Sequence, residues 1–506
     1  MGPRLDLTAA PLPPTRHQIA GIEQIVQHKA FFLMDEMGMG KSMQVISAAS
    51  VLFTQHIIDR VVIVAPASVR SVWSDPEHGQ IVTHGWPTIS NLVTIYHRRK
   101  PWFVHGADHD RYLEWIVTNY EYIRGGGLKL ETLIRRCDDR TLLVLDESTA
   151  IKSTTAAQTK ACQRLRKRCG RVVLLTGTPI AHSPLDLLSQ ANMLHPAILS
   201  DRPGESMNLW QFRNKYCRMG GYQGRQILEF PKAGLQDLQE RLKPVALRRE
   251  KKDCLDLPPK LAPVTLTATL SAASWKLYKD MRQHALIELA GQVSVAPQAV
   301  TKLLRLSQLT SGFVGGLHGP VALQHTGTEK IDVLVQWVET QLAANPTFKV
   351  VIWSVFREDV IRVSEALERL PLEVGRLWGQ SPAQERDHAL RLLHPSTVNV
   401  AAPCAVVGTP SAGSLGITLA GASNVCYMNS PYSLSQRLQS EDRTHRPGQT
   451  AEAVSYYEIA AEGPSGQRTI DHIVIKALRQ RQELAEWTAA AWLDHLKQQK
   501  TSGPSF

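Results

Sequence analysis

The stretch AFFLMDEMGMGKSMQVISAASVLF, residues 30–53, decides how the rest of this sequence is interpreted. It begins with an apolar run typical of a buried strand, continues through a loop with Gly38 and Gly40, and ends with helical periodicity. This order predicts a phosphate-binding loop, because backbone N–H groups and a helix N-terminus attract anions. We expect Lys41 to reach the β- and γ-phosphates of a nucleotide, and the Ser42 hydroxyl to hold Mg²⁺.

The loop departs from the strict pattern G-x-x-x-x-G-K-[ST], because Asp35 stands where the first glycine belongs. Taken alone, the segment could be an ordinary turn. A second segment, TLLVLDEST (residues 141–149), is an apolar strand that ends in Asp146 and Glu147. We interpret this pair as an Mg²⁺ ligand and a base that orients and deprotonates water, rather than as an exposed acidic turn, because a phosphate-binding loop precedes it.

Length and composition limit the class of protein. A chain of 506 residues exceeds one ordinary core, so two or three domains are expected. The net charge of +11 favours a polyanionic partner such as nucleic acid. The seven cysteines include no C-x-x-C pair, which indicates reduced thiols rather than a zinc site or disulfides. With no apolar leader and no run of 18 apolar residues, we expect a soluble intracellular protein without membrane contact.

Apolar runs of strand length fall into two sets, and helical patterns intervene in both. This alternation predicts an α/β fold with two parallel sheets covered on both faces. Between the sets, residues 184–324 show mainly helical patterns. The predicted strands are Phe31–Met34, Val61–Ala65, Leu142–Leu145 and Val172–Leu175 in the first set, and Val350–Trp353, Ala405–Val407, Val425–Met428 and Ser455–Ile459 in the second.

These segments, taken in order, resemble the SWI/SNF-like DNA translocase ATPases of helicase superfamily two. DEMGMGKS (residues 35–42) is close to that family's phosphate-loop motif, and DEST (residues 146–149) stands where the family has DEAH or DESH. LTGTPIAHSP resembles its third motif, and LRREKKDCLDLPPK (residues 247–260) resembles the basic linker that ordinary helicases lack. The resemblance covers nearly the whole chain and implies two RecA-like lobes that hold ATP and Mg²⁺ in the cleft between them.

The resemblance also implies domain borders. Lobe 1 is expected over residues 1–246, with a helical protrusion at about 184–246. The linker and lobe 2 are expected over residues 247–506, with a helical insertion at about 265–325 and a C-terminal helix at about 470–498.

The segment QSEDRTHRPGQ, from Gln439, resembles the family's sixth motif, with Gln439, Arg443 and Arg446 at its three key positions. A guanidinium can stabilise the charge that spreads over the phosphoryl oxygens during transfer. Its location in the second lobe would make hydrolysis depend on lobe closure. The chain departs from the family at Thr149, where His is usual, and at Ile417, where Asn is usual.

The resemblance assigns the remaining site residues by position. TRHQIAGIEQI resembles the adenine-reading segment. The nucleotide is expected at Gln18, Met37, Gly38, Met39, Gly40, Lys41, Ser42 and Gln439, the metal at Ser42 and Asp146, and catalysis at Lys41, Asp146, Glu147, Arg443 and Arg446. DNA contacts are expected at Ser68, Thr118, Asn119, Tyr120, Ser354, Thr409 and Gly413, although isolated polar residues at strand ends also serve as caps and turns.

We therefore predict a monomeric, ATP-dependent double-stranded DNA translocase that remodels protein–DNA complexes or branched DNA. Its partners would be double-stranded or branched DNA and a protein target bound to that DNA. A strand-separating DNA or RNA helicase of the same superfamily is the alternative. A nucleotide-gated clamp without turnover is disfavoured, because it would be expected to lack Glu147 or Arg446, and both are present.

Overall fold

The computed structural model describes residues 5–96, 102–104, 111–180, 183–202, 205–220, 226–290, 296–315, 322–379, 381–412, 417–480 and 482. The chain divides into two compact units, with the border between Leu255 and Asp256. The border expected from the sequence, at 246/247, falls instead inside a short strand at the edge of the first sheet.

The first unit is built on a mainly parallel sheet. Its described strands are β1 (Ala30–Leu33), β2 (Arg60–Ala65), β3 (Ser90–Ile95), β4 (Trp102–Val104), β5 (Tyr112–Asn119), β6 (Thr141–Leu145), β7 (Arg171–Leu175), the hairpin β8 (Arg218–Gly220) and β9 (Gln226–Glu229), and β10 (Ala246–Leu247). The sheet order is β10-β1-β7-β6-β2-β5-β3-β4, and β4 pairs antiparallel to β3. The carboxyl ends of β1, β6 and β7 therefore lie together at one edge, where the predicted nucleotide motifs follow.

Helices cover this sheet on both faces. They are α1 (Arg16–Gln27), α2 (Lys41–Thr54), α3 (Arg70–Ser74), α4 (Gln80–His84), α5 (Tyr120–Arg124), α6 (Gly127–Arg136), α7 (Ala157–Arg166), α8 (Asp186–Leu194), α9 (Leu209–Tyr216), α10 (Lys232–Leu242) and α11 (Lys251–Cys254). Alternate side chains of β6 enter different cores, Leu143 and Leu145 on one face and Leu142 and Val144 on the other. Burial on both faces explains why the central strands are continuous apolar runs.

The second unit contains a six-stranded parallel sheet in the order β11-β18-β17-β14-β16-β15. Its strands are β11 (Val264–Thr269), β14 (Lys349–Trp353), β15 (Glu373–Leu377), β16 (Cys404–Gly408), β17 (Asn424–Tyr427) and β18 (Ser455–Glu462), with a separate hairpin of β12 (Phe313–Val314) and β13 (Gln324–His325). Its helices are α12 (Ala272–Ala290), α13 (Ala296–Thr310), α14 (Glu329–Ala344), α15 (Arg357–Leu367), α16 (Ala383–Leu393), α17 (Leu434–Glu441) and a last one over 470–480.

The two-sheet α/β architecture and all eight predicted strands are confirmed, within a residue or so of their predicted starts. The prediction for the start of the helical insertion was wrong, because Val264–Thr269 pairs with β18 as an edge strand. That strand is largely exposed and alternates with threonine, so it lacks the apolar run that marks a central strand. The part of the predicted C-terminal helix at 481 and 483–498 lies outside the described residues. Among the helices that are described, none combines the length and apolar character needed to cross a bilayer.

Candidate active site

The loop between β1 and α2, residues 34–40, is called the phosphate loop below. Gly38 and Gly40 adopt φ angles of +78° and +75°, a region that favours glycine. A Cβ added to Gly40 would lie 2.4 Å from Nε2 of Gln18, so the Gln18 amide rests against the loop. Its Oε1 accepts the Thr15 N–H at 2.9 Å, at the start of α1. The structure thus brings Gln18, the predicted adenine contact, and the phosphate loop together.

Lys41 is the first residue of α2, and its side chain folds back over the phosphate loop. Its Nζ donates to the carbonyl oxygens of Asp35 at 2.7 Å and Glu36 at 3.2 Å. The positive charge is thereby held on the loop whose N–H groups would receive an anion.

Met37 and Met39 of the phosphate loop contact other segments of the first unit. Ser42 is half-buried in the first turn of α2. The carbonyl oxygen of Met39 lies 3.3 Å from Nε2 of His17. A Cβ on Gly177, in the turn after β7, would lie 2.6 Å from Cγ of Met37. The third motif therefore packs directly on the phosphate loop.

Asp35, the residue that breaks the strict glycine pattern, is fully buried and paired. Nε of Arg249 donates to its Oδ1 at 2.9 Å, and Nη2 of Arg249 also contacts Oδ2. Nε2 of Gln44 in α2 donates to the same Oδ2 at 3.1 Å. Sequence reasoning missed this pair. The departure from glycine marked the position, but nothing in the sequence identified a partner in the linker.

The end of β6 presents Asp146 to two hydrogen-bond donors. Its Oδ2 accepts from Nε1 of Trp73 in α3 at 2.7 Å, and its Oδ1 accepts the Glu147 N–H at 2.9 Å. Burial raises the pKa of Asp146, opposed by the Trp73 hydrogen bond and the charge of Lys41. The charge of Lys41 therefore acts on Asp146, and Trp73 is a hydrogen-bond partner of Asp146 that the sequence analysis did not identify.

Glu147 has a left-handed backbone, with φ of +47° and ψ of +57°. Among the described residues, His56 is the only other non-glycine residue with positive φ. This conformation costs a residue with a Cβ about 1 to 2 kcal/mol, and such strain is concentrated at functional sites. It holds the carboxylate directly after the metal-ligand candidate Asp146.

A glutamine in α8 connects the DEST segment after β6 to the turn after β7. Oγ of Ser148 donates to Oε1 of Gln190 at 2.7 Å, and Nε2 of Gln190 donates to the Pro179 carbonyl at 3.0 Å. Both side chains are buried, and Thr149 lies in the same short 3₁₀ turn, Ser148–Ile151. The chain therefore links the two strand ends through Ser148 and Gln190, next to Thr149.

The predicted arginines lie in the second unit, after α17. Nη1 of Arg446 donates to the carbonyl of Ile417 at 3.0 Å, and Nη1 of Arg443 contacts the same oxygen at 3.4 Å. The two guanidinium groups are thus neighbours, and both are half-buried. Gln439 is half-buried within α17. Two adjacent cations at one backbone oxygen suit a polyphosphate anion.

A buried arginine anchors α17 in the second sheet. Arg437 donates to Glu441 at 2.8 Å and to Glu458 at 2.7 Å, and its guanidinium carbon lies 3.6 Å from the Tyr427 ring centroid. Burial by itself would lower the pKa of Arg437, but Tyr427 and the carboxylates of Glu441 and Glu458 outweigh it, so the pKa is raised. This anchor fixes the segment that carries the two candidate catalytic arginines, and sequence reasoning had not identified it.

The residues assigned to DNA in the first unit differ in accessibility. Ser68 is exposed, and Asn119 caps α5 by accepting the Tyr122 N–H at 2.8 Å. Thr118 and Tyr120 are buried, and the Tyr120 hydroxyl donates to the Asp146 carbonyl at 2.9 Å. The buried side chains of Thr118 and Tyr120 therefore offer no surface to a DNA phosphate, and we do not propose them as DNA contacts.

In the second unit, Ser354 is likewise buried and donates to Oδ2 of Asp359 at 2.6 Å. Thr409 is buried with its hydroxyl 3.2 Å from that of Ser411. Gly413 lies outside the described residues. The side chain of Ser354 therefore has an internal partner at the end of β14.

The donor set of the first unit fits Mg²⁺. No group of three or more His, Cys, Asp or Glu in the described part of the chain forms a metal cage. Mg²⁺ typically takes one or two protein oxygens and keeps its waters, so a hydroxyl at Ser42 and a carboxylate at Asp146 are a suitable set. Each Asp146 oxygen accepts one hydrogen bond and keeps further acceptor capacity.

Two family models match the chain. The SNF2-related domain matches residues 17–310, and the helicase conserved C-terminal domain matches residues 329–448. The first match alone covers more than half of the chain. The chain belongs to the SNF2-related family. This membership confirms the resemblance drawn from the motifs, and with it the predicted class, a helicase-like ATP-hydrolysing enzyme.

Individual relatives are distant and longer. Nuclear protein STH1/NPS1 of Saccharomyces cerevisiae is 24% identical over 91% of this chain and 35% of its own length. An uncharacterized ATP-dependent helicase of Mycoplasma pneumoniae is 24% identical, over 90% and 40%. DNA annealing helicase and endonuclease ZRANB3 of Mus musculus is 26% identical, over 84% and 36%. The chain thus spans less than half the length of these relatives.

Among solved structures, the Sulfolobus solfataricus SWI2/SNF2 ATPase core in complex with dsDNA is similar over 98% of this chain and 97% of its own. The sequences are 20% identical, and the TM-score is 0.41.

Proposed function

We propose that this chain hydrolyses ATP with Mg²⁺ to move along double-stranded DNA, and that it thereby remodels protein–DNA complexes or branched DNA. The observation that supports the proposal is that the phosphate loop after β1 and the Asp146–Glu147 pair after β6 follow the carboxyl ends of strands in one parallel sheet, with Glu147 in a left-handed backbone conformation. A phosphate-binding loop and two adjacent carboxylates, one to hold Mg²⁺ and one to accept a proton, are suited to phosphoryl transfer to water.

Each residue has a distinct task in this proposal. Lys41 and the loop N–H groups bind the phosphates, and Glu147 takes the proton of the attacking water. Mg²⁺, held through Ser42 and Asp146, would neutralise charge on the β- and γ-phosphates. Arg446, with Arg443 beside it, supplies positive charge to the transferring phosphoryl group from the second unit.

The choice of duplex DNA rests on the family and on charge. SNF2-related membership, the basic linker LRREKK and the net charge of +11 all favour a polyanionic track. The name of the mouse relative refers to DNA annealing, which supports branched DNA as one substrate. The second candidate, a strand-separating helicase, is supported by the names of the Mycoplasma relatives.

The proposal is tested by ATP hydrolysis with several nucleic acids at matched nucleotide concentration. We expect duplex DNA to stimulate turnover more than single-stranded DNA or RNA, and longer duplexes to stimulate it more than short ones. Binding should weaken steeply with salt, because contacts to phosphate release counterions. Stimulation by single strands or RNA alone would contradict the proposal, and the variant Glu147→Gln controls for contaminating ATPases.

A further inference from the structure

We propose that Arg249 of the linker is a positioning residue for the nucleotide site, which shapes the phosphate loop by holding the Asp35 carboxylate inside the protein. This inference rests on the proposed function, since the loop is taken to bind ATP. It assigns a task to one arginine of the linker, residues 247–260.

The ion pair occupies the place of the first glycine in the strict phosphate-loop pattern. Asp35 is 0% exposed, and the Arg249 side chain is 10% exposed. Gln44 completes the arrangement, because its Nε2 donates to Asp35 and its Oε1 accepts from Nη2 of Arg249, both at 3.1 Å. Both oxygens of the Asp35 carboxylate thus accept hydrogen bonds, from Arg249 in the linker and from Gln44 in α2.

The same guanidinium also reaches the adenine side of the site. Its Nη1 donates to the carbonyl of His17, the residue before Gln18. A Cβ on Gly21 of α1 would lie 1.8 Å from Oε1 of Gln44 and 3.0 Å from Nη2 of Arg249, so α1 packs tightly on this cluster. One buried cation therefore ties α1 and α2 to the phosphate loop.

The backbone of the linker reinforces the side-chain contacts. The N–H of Met34 donates to the carbonyl of Leu247 at 2.7 Å, and the N–H of Glu36 donates to that of Arg249 at 3.0 Å. The N–H of Lys251 donates to Oε2 of Glu36 at 2.7 Å. The linker thus continues strand β10 alongside residues 34–36.

This alignment bears directly on Lys41, because the carbonyl oxygens of Asp35 and Glu36 are the acceptors of its ammonium group. In this proposal Arg249 affects ATP binding by shaping the phosphate loop, and it does not contact the nucleotide. A carboxylate released from Arg249 would stand next to the loop that must receive several negative charges, and like charges at short distance repel. Breaking a buried pair by removing one partner is far more harmful than removing both.

The test is a double-mutant cycle on the complete chain. Arg249→Ala should raise both the KM for ATP and the Kd for a fluorescent ATP analogue about tenfold, with kcat within about threefold, a coupling typical of residues in one buried network. Asp35→Gly restores the strict glycine pattern. In the double variant it should bring KM and Kd back to within about threefold of wild type, because no carboxylate is left unpaired.

Two further variants keep the test decisive. Arg249→Lys retains the charge but not the planar fork, so it should fall between wild type and Arg249→Ala, and it serves if the alanine variant does not fold. Lys252→Ala, in the same linker with its side chain 73% exposed, is the matched control and should change neither constant. Circular dichroism and thermal unfolding verify folding of every variant.

The positioning role of Arg249 and the proposed ATPase function would fail with different results. Failure of Asp35→Gly to rescue the alanine variant, or a loss confined to kcat, would overturn the positioning role while the ATPase stands. A folded wild-type chain that neither binds the analogue nor hydrolyses ATP would overturn the proposed function, and the positioning role with it.

Discussion

At the scale of single residues, Lys41 and Glu147 should fail in different ways when replaced. Lys41→Ala removes a charge from the phosphates and should weaken ATP binding and turnover together. Glu147→Gln should retain ATP binding but stop cleavage, because an amide cannot accept the water's proton. Steady-state hydrolysis and analogue binding measure both effects. Glu77→Gln makes the same chemical change at an exposed site and should alter neither ATP binding nor turnover. Near-normal turnover of Glu147→Gln would show that Glu147 is not the general base.

Arg446 should act on the reaction rather than on binding. Arg446→Ala is expected to leave ATP affinity within a few-fold and to lower DNA-stimulated kcat by roughly 10³-fold, as for other arginine fingers. Arg446→Lys should not restore activity, since it lacks the planar fork. Arg391→Ala, exposed on α16, is the control. An Arg446→Ala enzyme with more than a tenth of wild-type kcat would contradict the assignment.

Trp73 should matter through its N–H, because it donates to Asp146 at 2.7 Å. Trp73→Phe keeps most of the buried ring and removes that bond, so we expect a higher Mg²⁺ requirement and a kcat reduced about tenfold or more, as for other residues that orient metal ligands. Trp86→Phe is the matched control, because Trp86 is buried in the same core and its N–H has no hydrogen-bond partner among the described residues. Equal effects of the two changes would indicate lost packing alone.

At the scale of elements, apolar patterning predicted those strands that are buried on both faces. β6 and β14 are continuous apolar runs, and the sequence alone located them. Edge strands such as β11 and β15 keep polar, exposed positions, so no such run marks them. The glycine-containing loop after β1 and the two carboxylates after β6 are each local to one strand end, so the sequence alone located these segments.

Other parts of the site depend on contacts between segments that are distant in sequence. Asp35 and Arg249 are 214 positions apart, and Trp73 and Asp146 are 73 apart. A single aspartate, arginine or tryptophan carries no local signal of its partner. Tyr120, which the resemblance assigned to DNA, is buried, and its hydroxyl donates to the backbone carbonyl of Asp146.

Asp359, in the first turn of α15, accepts a hydrogen bond from Ser354 after β14, and the titration of its carboxyl group can be followed. Burial raises the pKa of Asp359 to about 6, opposed by the Ser354 hydrogen bond and the charges of Lys330 and Arg362. The folded chain then binds a proton at this group at a higher pH than the unfolded chain, so this contribution to stability is present at low pH and is lost as pH rises through about 6.

Asp359→Asn should remove that dependence. Relative to the variant, the wild type should lose about 2 kcal/mol of unfolding free energy between pH 4.5 and 7.5, as the pKa shift requires. Urea unfolding of both proteins across this range measures the difference. A difference that does not vary with pH would show that Asp359 does not titrate in the folded chain as described.

At the scale of the whole molecule, the linker residues 247–260 bind both units through different halves. Arg249 pairs with Asp35 in the first unit. In the second, the Pro258 carbonyl lies 2.8 Å from Nε2 of His445, and Lys260 pairs with Glu441 at 3.1 Å. The first half of the linker is therefore attached beside the phosphate loop within the first unit, and the second half beside the segment that carries Arg443 and Arg446 within the second.

The central claim is that ATP hydrolysis moves this chain along intact duplex DNA. It is tested most directly by displacement of a third strand from a DNA triplex, compared with unwinding of a tailed duplex in parallel. We predict ATP-dependent displacement of the third strand by the wild type, none by Glu147→Gln, and no efficient unwinding of the tailed duplex. Efficient unwinding of the tailed duplex without triplex displacement would contradict the account and identify a strand-separating helicase.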